Sequence, residues 1–240
     1  MKVFIILLAI VYSTAARRIR SRDIKSKIKA FDSIEGLYRS INSPNMQACM
    51  NYHVLKGENA KEPDVHICMD NISPPCNVIS IGIAYNFLFD DFMLAQGCRV
   101  WSYDPSMRPG NYKRHENHEF FHVGIGSFDG MHRGKSTLYG GGINYEVKTL
   151  SSIMRDMGIQ KVDMIRIDTE GAEWDVLPTW NYSLIDQLLV EVHMYDNLEN
   201  HATILSKIPM NIFWSTRNRW NNNPIYKDMT QVYEIGFIKR

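Results

Sequence analysis

From residue 77 onward, short β-rich apolar runs alternate with amphipathic segments, and this alternation restricts the folds that the chain can adopt. The centre of each run is almost continuously apolar, which is typical of parallel strands covered on both faces. Near the C-terminus, two apolar runs are separated only by a polar loop, and strands connected in this way pair antiparallel more easily than parallel. The sequence therefore predicts an α/β fold with a Rossmann-like, doubly wound, mainly parallel sheet and an antiparallel C-terminal hairpin.

The predicted strands and helices follow one another closely along the chain. Thr149 is a predicted N-cap, Gly158 follows the end of the same helix, and Pro178 ends the next one. Five strands are predicted at Asn77–Ile83, Arg99–Asp104, Glu119–Ile125, Asp163–Asp168 and Gln187–His193, four helices at Phe87–Ala95, Leu150–Met157, Glu170–Leu177 and Leu198–Ile208, and two final strands at Asn211–Thr216 and Gln231–Lys239.

The first sixteen residues have the features of a targeting segment. About ten apolar residues, Val3 to Tyr12, precede a stretch of small residues. A helix that spans a bilayer needs about 20 apolar residues, so this run fits a secretory signal peptide, with an uncleaved anchor as the alternative. We therefore expect a secreted or lumenal protein with no stable membrane span. In that compartment the sequons at Asn71 and Asn181 become candidate glycosylation sites.

The charge balance argues against a nucleic-acid partner. The chain contains 27 Lys and Arg residues against 26 Asp and Glu residues, so its formal net charge is only +1, and no bulk excess attracts an anionic polymer. Basic residues are concentrated at 17–29. We divide the chain into a signal peptide at 1–16, a basic N-terminal segment at 17–45 and one large domain at 46–240.

Four cysteines, Cys49, Cys68, Cys76 and Cys98, are disulfide candidates in an oxidising compartment. Three pairings are possible, and the spacing contains no CxxC motif of a structural zinc site. We expect a disulfide between two of the first three cysteines, and Cys98, just before a predicted strand, to be free or buried.

The ends of the first two predicted strands carry candidate binding residues. The first strand ends at Gly82, where a small residue lets the backbone approach a ligand, although no GxGxxG motif is present. Asp104 ends the second strand about 20 residues further on, the separation at which an acid holds a ribose in nucleoside-binding folds. The alternative for Asp104 is a turn-forming residue before Pro105.

The fourth strand ends in a crowded acidic turn that contains Asp168, Glu170 and Glu173. Favourable acids at a helix N-terminus explain Glu170 and Glu173, and Thr169 can cap that helix. Asp168 still lies on the strand, so this explanation leaves it without a partner.

The fifth strand supplies the expected partners of Asp168. Glu191 and His193 lie two residues apart and therefore share one face of that strand. Because neighbouring parallel strands end at the same edge of a sheet, we expect these side chains to lie near Asp168. Such a cluster can be a general base, a metal site or a hydrogen-bonded core network. We expect no metal dependence.

An ordered set of sequence blocks runs from residue 68 to residue 196. The blocks are Cys68-Met69-Asp70, Cys76, VISIGIAYNFLFDDFMLAQGCRVWSYDPSM (78–107), TLSSIMRDMG (149–158), DMIRIDTEGAEWDVL (163–177) and DQLLVEVHMYD (186–196). Together they resemble the methyltransferase-like protein 24 family. The resemblance covers about residues 45–240, and the IDTEGAEW block is shared with FkbM-type methyltransferases.

This resemblance implies a class I S-adenosylmethionine-dependent methyltransferase fold with a seven-stranded sheet. It implies that Gly82 lies under the methionine part of the cofactor and that Asp104 binds the ribose. His122 and Val123, with the glycine after them, would pass near the adenine. The family usually has a second glycine where this chain has Ala84, which adds a methyl group beside the cofactor.

The resemblance also places Asp168 at the entrance to the acceptor side. We therefore expect the domain at 46–240 to be methyltransferase-like and to act on an unknown oxygen or nitrogen acceptor. Asp168 or His193 is the candidate base, with Glu191 beside them. The alternative is a catalytically inactive secreted binding domain that kept the fold.

Overall fold

The computed structural model describes residues 34–57, 63–108, 110–135, 142–218 and 231–239. The predicted signal peptide, the basic stretch at 17–29 and the polar loop at 221–224 lie outside the described residues. Among the described residues, no helix is long and apolar enough to cross a membrane.

Thirteen strands and five α-helices make up the described part of the chain. The strands are β1 (Tyr52–Leu55), β2 (Val65–Cys68), β3 (Cys76–Ile81), β4 (Cys98–Tyr103), β5 (Tyr112–His115), β6 (His118–Phe121), β7 (Gly124–Ile125), β8 (Gly130–Lys135), β9 (Gly142–Lys148), β10 (Val162–Ile167), β11 (Ile185–His193), β12 (Asn211–Arg217) and β13 (Val232–Ile238). The helices are α1 (Ile34–Ile41), α2 (Leu88–Ala95), α3 (Leu150–Asp156), α4 (Glu173–Val176) and α5 (Leu198–Ser206).

The central sheet has eight strands in the order β12–β13–β11–β10–β3–β4–β6–β5. The five strands from β11 to β6 run parallel. β13 lies between β11 and β12 and is antiparallel to both. The predicted mainly parallel sheet with an antiparallel C-terminal pair is therefore confirmed. β5, an exposed strand antiparallel to β6 at the opposite edge, brings the total to one more than the expected seven.

The two faces of the sheet are covered by different elements, because successive side chains of a strand point to opposite faces. Ile79, Ile165 and Leu188 face the core cluster that includes side chains of α1, α3 and α5. Val78 and Met164 face the other cluster, which includes side chains of α2 and β2. The domain boundary at residue 46 stays a prediction, but α1 packs into the same core as the sheet.

Two predicted elements differ from the structure. The third predicted strand, Glu119–Ile125, is split: β6 ends at Phe121, and β7 pairs instead with β9 in a separate three-stranded sheet, β7–β9–β8. The helix predicted at Glu170–Leu177 is reduced to α4, because Glu170 and Gly171 have φ values of +54° and +113° and cannot continue a helix. Thr169 is therefore not its cap.

Two disulfides join the four cysteines, and no described cysteine is free. The Cys49–Cys68 bond agrees with the predicted disulfide among the first three cysteines. The expectation that Cys98 is free was wrong, since it is bonded to Cys76; its predicted burial is correct. β3 and β4 are parallel neighbours in which Cys76 pairs with Cys98 in register, so the two Cα atoms lie only 4.4 Å apart.

Candidate active site

The candidate residues meet at one edge of the sheet. Gly82 follows β3, Asp104 follows β4, Asp168 follows β10, and His193 ends β11. The carboxyl ends of parallel strands lie at the same edge, which is where ligands bind in open α/β sheets. Two cavities open there, and Gly82, Ala84 and Asp168 line both of them.

The smaller cavity has a volume of about 130 Å³ and includes Asp104 and Gly124 in its walls. His122 and Val123, which the resemblance places near adenine, are not among its lining residues. Val123 is buried in the core, and the backbone N–H of His122 donates a hydrogen bond to Asn111 Oδ1 at 2.7 Å.

The larger cavity has a volume of about 370 Å³ and lies against the β1–β2 pair and α2. Its wall includes four polar side chains. Arg166, Glu191 and Glu234 come from the central sheet, and Asn218 is the residue after β12. Arg166 and Glu234 were not predicted from the sequence. The signal that could have identified Arg166 is its charge, because it lies inside a largely apolar strand.

The turn after β3 lies directly against the end of β10. Gly82 has a φ of +76°, and a Cβ atom there would overlap the backbone carbonyl oxygen of Asp168. Only glycine fits both the conformation and the space. Ala84 and Tyr85 also adopt left-handed φ values, +44° and +69°.

Asp104 holds this turn from the neighbouring strand. Its Oδ2 accepts a hydrogen bond from the backbone N–H of Ala84 at 2.8 Å. Its Oδ1 accepts from the backbone N–H and the hydroxyl of Ser106 at 2.8 and 2.6 Å. An ionised carboxylate has about four lone-pair positions, so three are used internally. Asp104 is thus a turn residue that retains room for about one more donor from a ligand.

His193 is fixed by a carboxylate that sequence analysis assigned only to a helix N-terminus. Glu173 is fully buried, and its Oε1 accepts from both the backbone N–H and the Nδ1 of His193, at 2.8 and 3.0 Å. Its Oε2 accepts from Gly171 and Thr169. The Nε2 of His193 lies 3.4 Å from Glu170 and 3.8 Å from Glu191.

The contact with Glu173 determines the charge of His193. Burial alone would lower the pKa of His193, but the hydrogen bond and negative charge of Glu173, with Asp168 and Glu191 nearby, raise it to about 9. Burial acts to raise the pKa of Glu173. The hydrogen bond from His193 outweighs burial and holds the pKa of Glu173 below its ordinary range. The pair is therefore an imidazolium beside a carboxylate at neutral pH.

Asp168 and Glu191, unlike Glu173, have raised pKa values, which favour their neutral forms. Burial, together with the charge of Glu191, raises the pKa of Asp168 to about 7, although Arg166 acts against this. Burial and the charge of Glu234 raise the pKa of Glu191 to about 8. Arg166 Nη2 lies 4.0 Å from Asp168 and 3.9 Å from Glu234, so one guanidinium faces several carboxyl groups.

Asp168, Glu170 and His193 also place one ligand atom each within 4.8 Å of one another. Because Nδ1 of His193 faces Glu173, Nε2 is the ring atom that this group shares. The group therefore has the residue types of either a proton-transfer site or a metal site.

A second buried cluster lies between β4, β6 and α2. The hydroxyl of Ser102 donates to Asp90 and lies 2.7 Å from His118 Nε2, and Ser80 donates to the other oxygen of Asp90 at 3.2 Å. Burial and the positive charge of Arg114 lower the pKa of His118 to about 4. Burial raises the pKa of Asp90 to about 6.

A family model described as "Methyltransferase FkbM domain" matches residues 11–217. The chain therefore belongs to the FkbM methyltransferase family, and this assignment supports S-adenosylmethionine as its cofactor. The narrower resemblance to the methyltransferase-like protein 24 family stays a prediction.

Two solved structures are similar to the chain at low sequence identity. TrmK from M. capricolum, solved with S-adenosylhomocysteine, is 9% identical with a TM-score of 0.39, and the match covers 71% of this chain but only 65% of TrmK, less than two thirds of its length. A 1,6-didemethyltoxoflavin-N1-methyltransferase from Burkholderia thailandensis is 14% identical with a TM-score of 0.37, covering 69% of this chain and 71% of that one. No curated protein matches the sequence.

Proposed function

We propose that this protein is a secreted or lumenal S-adenosylmethionine-dependent methyltransferase that acts on an oxygen or nitrogen acceptor. One observation carries the proposal: Asp168 lies in the walls of both cavities, at the carboxyl edge of the parallel strands. The smaller cavity serves the cofactor and the larger one serves the acceptor. A residue common to both walls is suited to accept a proton from the acceptor.

Three residues of the smaller cavity would hold the cofactor. Gly82 and Ala84 line the part assigned to its methionine, and Asp104 retains a lone-pair position for one ribose hydroxyl. When bound, S-adenosylmethionine supplies a methyl group on a sulfonium sulfur. The protein then has two tasks, which are alignment of the acceptor and removal of its proton.

Asp168 is the better of the two candidate bases. His193 has a pKa of about 9 and is already protonated at neutral pH, so it cannot accept another proton. Asp168 has a pKa of about 7, close to the pH at which a general base works best. Burial, together with Glu191, raises the pKa of Asp168, and the charged His193 favours its ionised form.

The secretory location is supported by the cysteines and the N-terminus. Both disulfides are expected in an oxidising compartment, and the first sixteen residues fit a signal peptide. Asn71 and Asn181 are exposed, so both sequons are open to glycosylation.

Ala84 favours a second candidate function, that of a catalytically inactive binding domain. It occupies a left-handed conformation in the turn that lines both cavities, and its methyl group replaces the hydrogen of a glycine. Such a domain would keep the cavities and the fold but would not bind S-adenosylmethionine.

Isothermal titration of the oxidised protein with S-adenosylmethionine and S-adenosylhomocysteine separates the two candidates. Binding at 100 times the dissociation constant raises the free energy of unfolding by about 2.7 kcal/mol. Asp104→Ala removes a charge-assisted bond of about 1.5–3 kcal/mol, so the affinity falls about tenfold or more. Ser106→Ala is the matched control, because it removes one internal donor and keeps the carboxylate. Absence of binding by the wild type would favour the inactive domain.

A further inference from the structure

The separate sheet formed by β7, β8 and β9 provides one wall of the smaller cavity. Ile143 and Tyr145 of β9 lie in this wall together with Gly124 and Ile125 of β7. Ile143 and Tyr145 are two residues apart on one strand and therefore point to the same face. The cavity is thus bounded by the strand ends of the central sheet and by the face of a second sheet.

The ring of Tyr145 lies against two glycines. A Cβ atom on Gly124 would come within 2.9 Å of Tyr145 Cε2, and a Cβ atom on Gly134 would overlap Tyr145 Oη. The ring of His132 meets it edge-on, with the centroids 5.4 Å apart and the planes at 62°. Because neither glycine has a side chain, there is room for the Tyr145 ring between them. The contact with His132 holds the Tyr145 ring in this position.

We propose that Tyr145 is the aromatic wall on which the adenine of the cofactor stacks. This inference rests on the proposed function, because it assumes that the smaller cavity binds an adenine nucleoside. A fixed aromatic ring in a cavity wall is suited to a flat purine. Asp104 lines the same cavity, and its remaining lone-pair position suits the ribose attached to that base. His122 and Val123 do not line this cavity.

The test uses two probes that share adenine but differ in the remainder of the molecule. S-adenosylhomocysteine carries the amino-acid part, whereas 5′-methylthioadenosine lacks it. Stacking contributes about 1–3 kcal/mol per base, which corresponds to a fivefold to 150-fold change in affinity. Tyr145→Ala is therefore expected to weaken both probes by similar factors of about tenfold, as measured by isothermal titration. Tyr145→Phe keeps the ring and is expected to retain the affinity within a factor of about three.

Two further variants separate stacking from general damage to the second sheet. Gly134→Ala retains Tyr145 but displaces its ring, so both probes are expected to bind more weakly. Met131→Ala is the matched control, because Met131 is exposed on β8 and pairs with Glu146, on the face opposite Tyr145. Its affinity is expected to equal that of the wild type.

Three outcomes would overturn the inference. Unchanged affinities in Tyr145→Ala with a lower melting temperature would make Tyr145 a packing residue. A loss for S-adenosylhomocysteine alone would place the ring beside the amino-acid part. Absence of binding of both probes by the wild type would overturn the proposed function itself, and is distinguishable because it appears before any variant is made.

Discussion

His193 and His118 are both buried imidazoles beside carboxyl groups, yet their pKa values lie on opposite sides of the ordinary value. The pKa of His193 is raised to about 9, and that of His118 is lowered to about 4. His193 contacts the ionised Glu173 directly. Between His118 and its acid lies the hydroxyl of Ser102, and Arg114 is 3.4 Å from the other ring nitrogen. Burial lowers the pKa of both imidazoles, and the contact with Glu173, together with the nearby Asp168 and Glu191, reverses the shift at His193 alone.

The two clusters also differ in their access to solvent-filled space. The His193 cluster reaches both cavities through Asp168, and the larger one also through Glu191. Asp90, Ser102 and His118 are almost completely buried between two strands and a helix. The His193 cluster is therefore open to proton exchange with a bound molecule. The Asp90–Ser102–His118 cluster instead links α2, β4 and β6 through its hydrogen bonds.

The largest expected effect is on the rate of methyl transfer, and it is tested by the same Asp-to-Asn substitution in each cluster. Asp168→Asn removes the proposed base and is expected to lower the proposed methyl transfer by at least about 100-fold, since general acid–base catalysis contributes about 10²–10⁴-fold. Asp90→Asn is expected to retain methyl transfer and to lower the free energy of unfolding by about 1–3 kcal/mol. Transfer of labelled methyl groups to a secretory-lumen extract and urea unfolding measure the two quantities. An equal loss of methyl transfer in Asp168→Asn and Asp90→Asn would show that the two clusters do not differ in function.

Glu173→Gln tests the origin of the raised pKa. The variant removes the negative charge beside His193, so the pKa of His193 is expected to fall toward its ordinary value. The free energy of unfolding is expected to fall by about 1–3 kcal/mol, because buried hydrogen bonds to a charged group are lost. NMR titration of the imidazole and chemical unfolding measure these changes. A pKa that stays near 9 would assign the shift to Asp168 and Glu191 instead.

The two histidines are expected to give opposite dependences of stability on pH. The pKa of His193 is raised by folding, so its stabilisation is complete below about 6.5 and is lost as the pH rises through about 9. The pKa of His118 is lowered, so its stabilisation is present above about 6.5 and is lost as the pH falls through about 4. Each contribution is about 3 kcal/mol, because each pKa lies about 2.5 from the ordinary value of 6.5.

Comparison of the wild type with His193→Gln and His118→Gln isolates these contributions. The difference in unfolding free energy is expected to shrink at high pH for the first variant and at low pH for the second. Parallel curves for all three proteins would show that neither histidine carries the pH dependence.

The smallest expected effect concerns the outer acid of each cluster. Glu170 lies 3.4 Å from His193, and Asp91 pairs with Arg114 beside His118. Both acids are more than half exposed, and surface ion pairs contribute about 0–1 kcal/mol. Glu170→Gln and Asp91→Asn are each expected to change the unfolding free energy by less than about 1 kcal/mol. A larger loss in either would extend that cluster to the surface.

The sequence predicted the edge at which the candidate residues meet. Gly82, Asp104, Asp168 and His193 end strands with nearly continuous apolar centres, and parallel strands bring such ends together. The same pattern could not show that Glu173 faces His193, because the two are 20 residues apart and a helix N-terminus already explained the acid.

The missed strands lack the pattern on which the prediction relied. β5 and β8 are largely exposed, so their residues do not show the apolar runs of a covered strand. Tyr145 could not be assigned for the same reason, because β9 contributes it to a wall outside the central sheet. The pairing of Cys76 with Cys98 depends on strand order and register, which spacing along the chain does not reveal.

The burial of the sulfur atoms has a consequence for the order of events during biosynthesis. All four bonded cysteines are nearly inaccessible in the finished fold: Cys49, Cys68, Cys76 and Cys98. Thiol–disulfide exchange needs access of a thiolate to the sulfur under attack. An oxidant must therefore reach these residues while the core is still open, and the finished protein shields both bonds from later reductants. Oxidation is thus an assembly step, and a chain folded without it would enclose four thiols in its core.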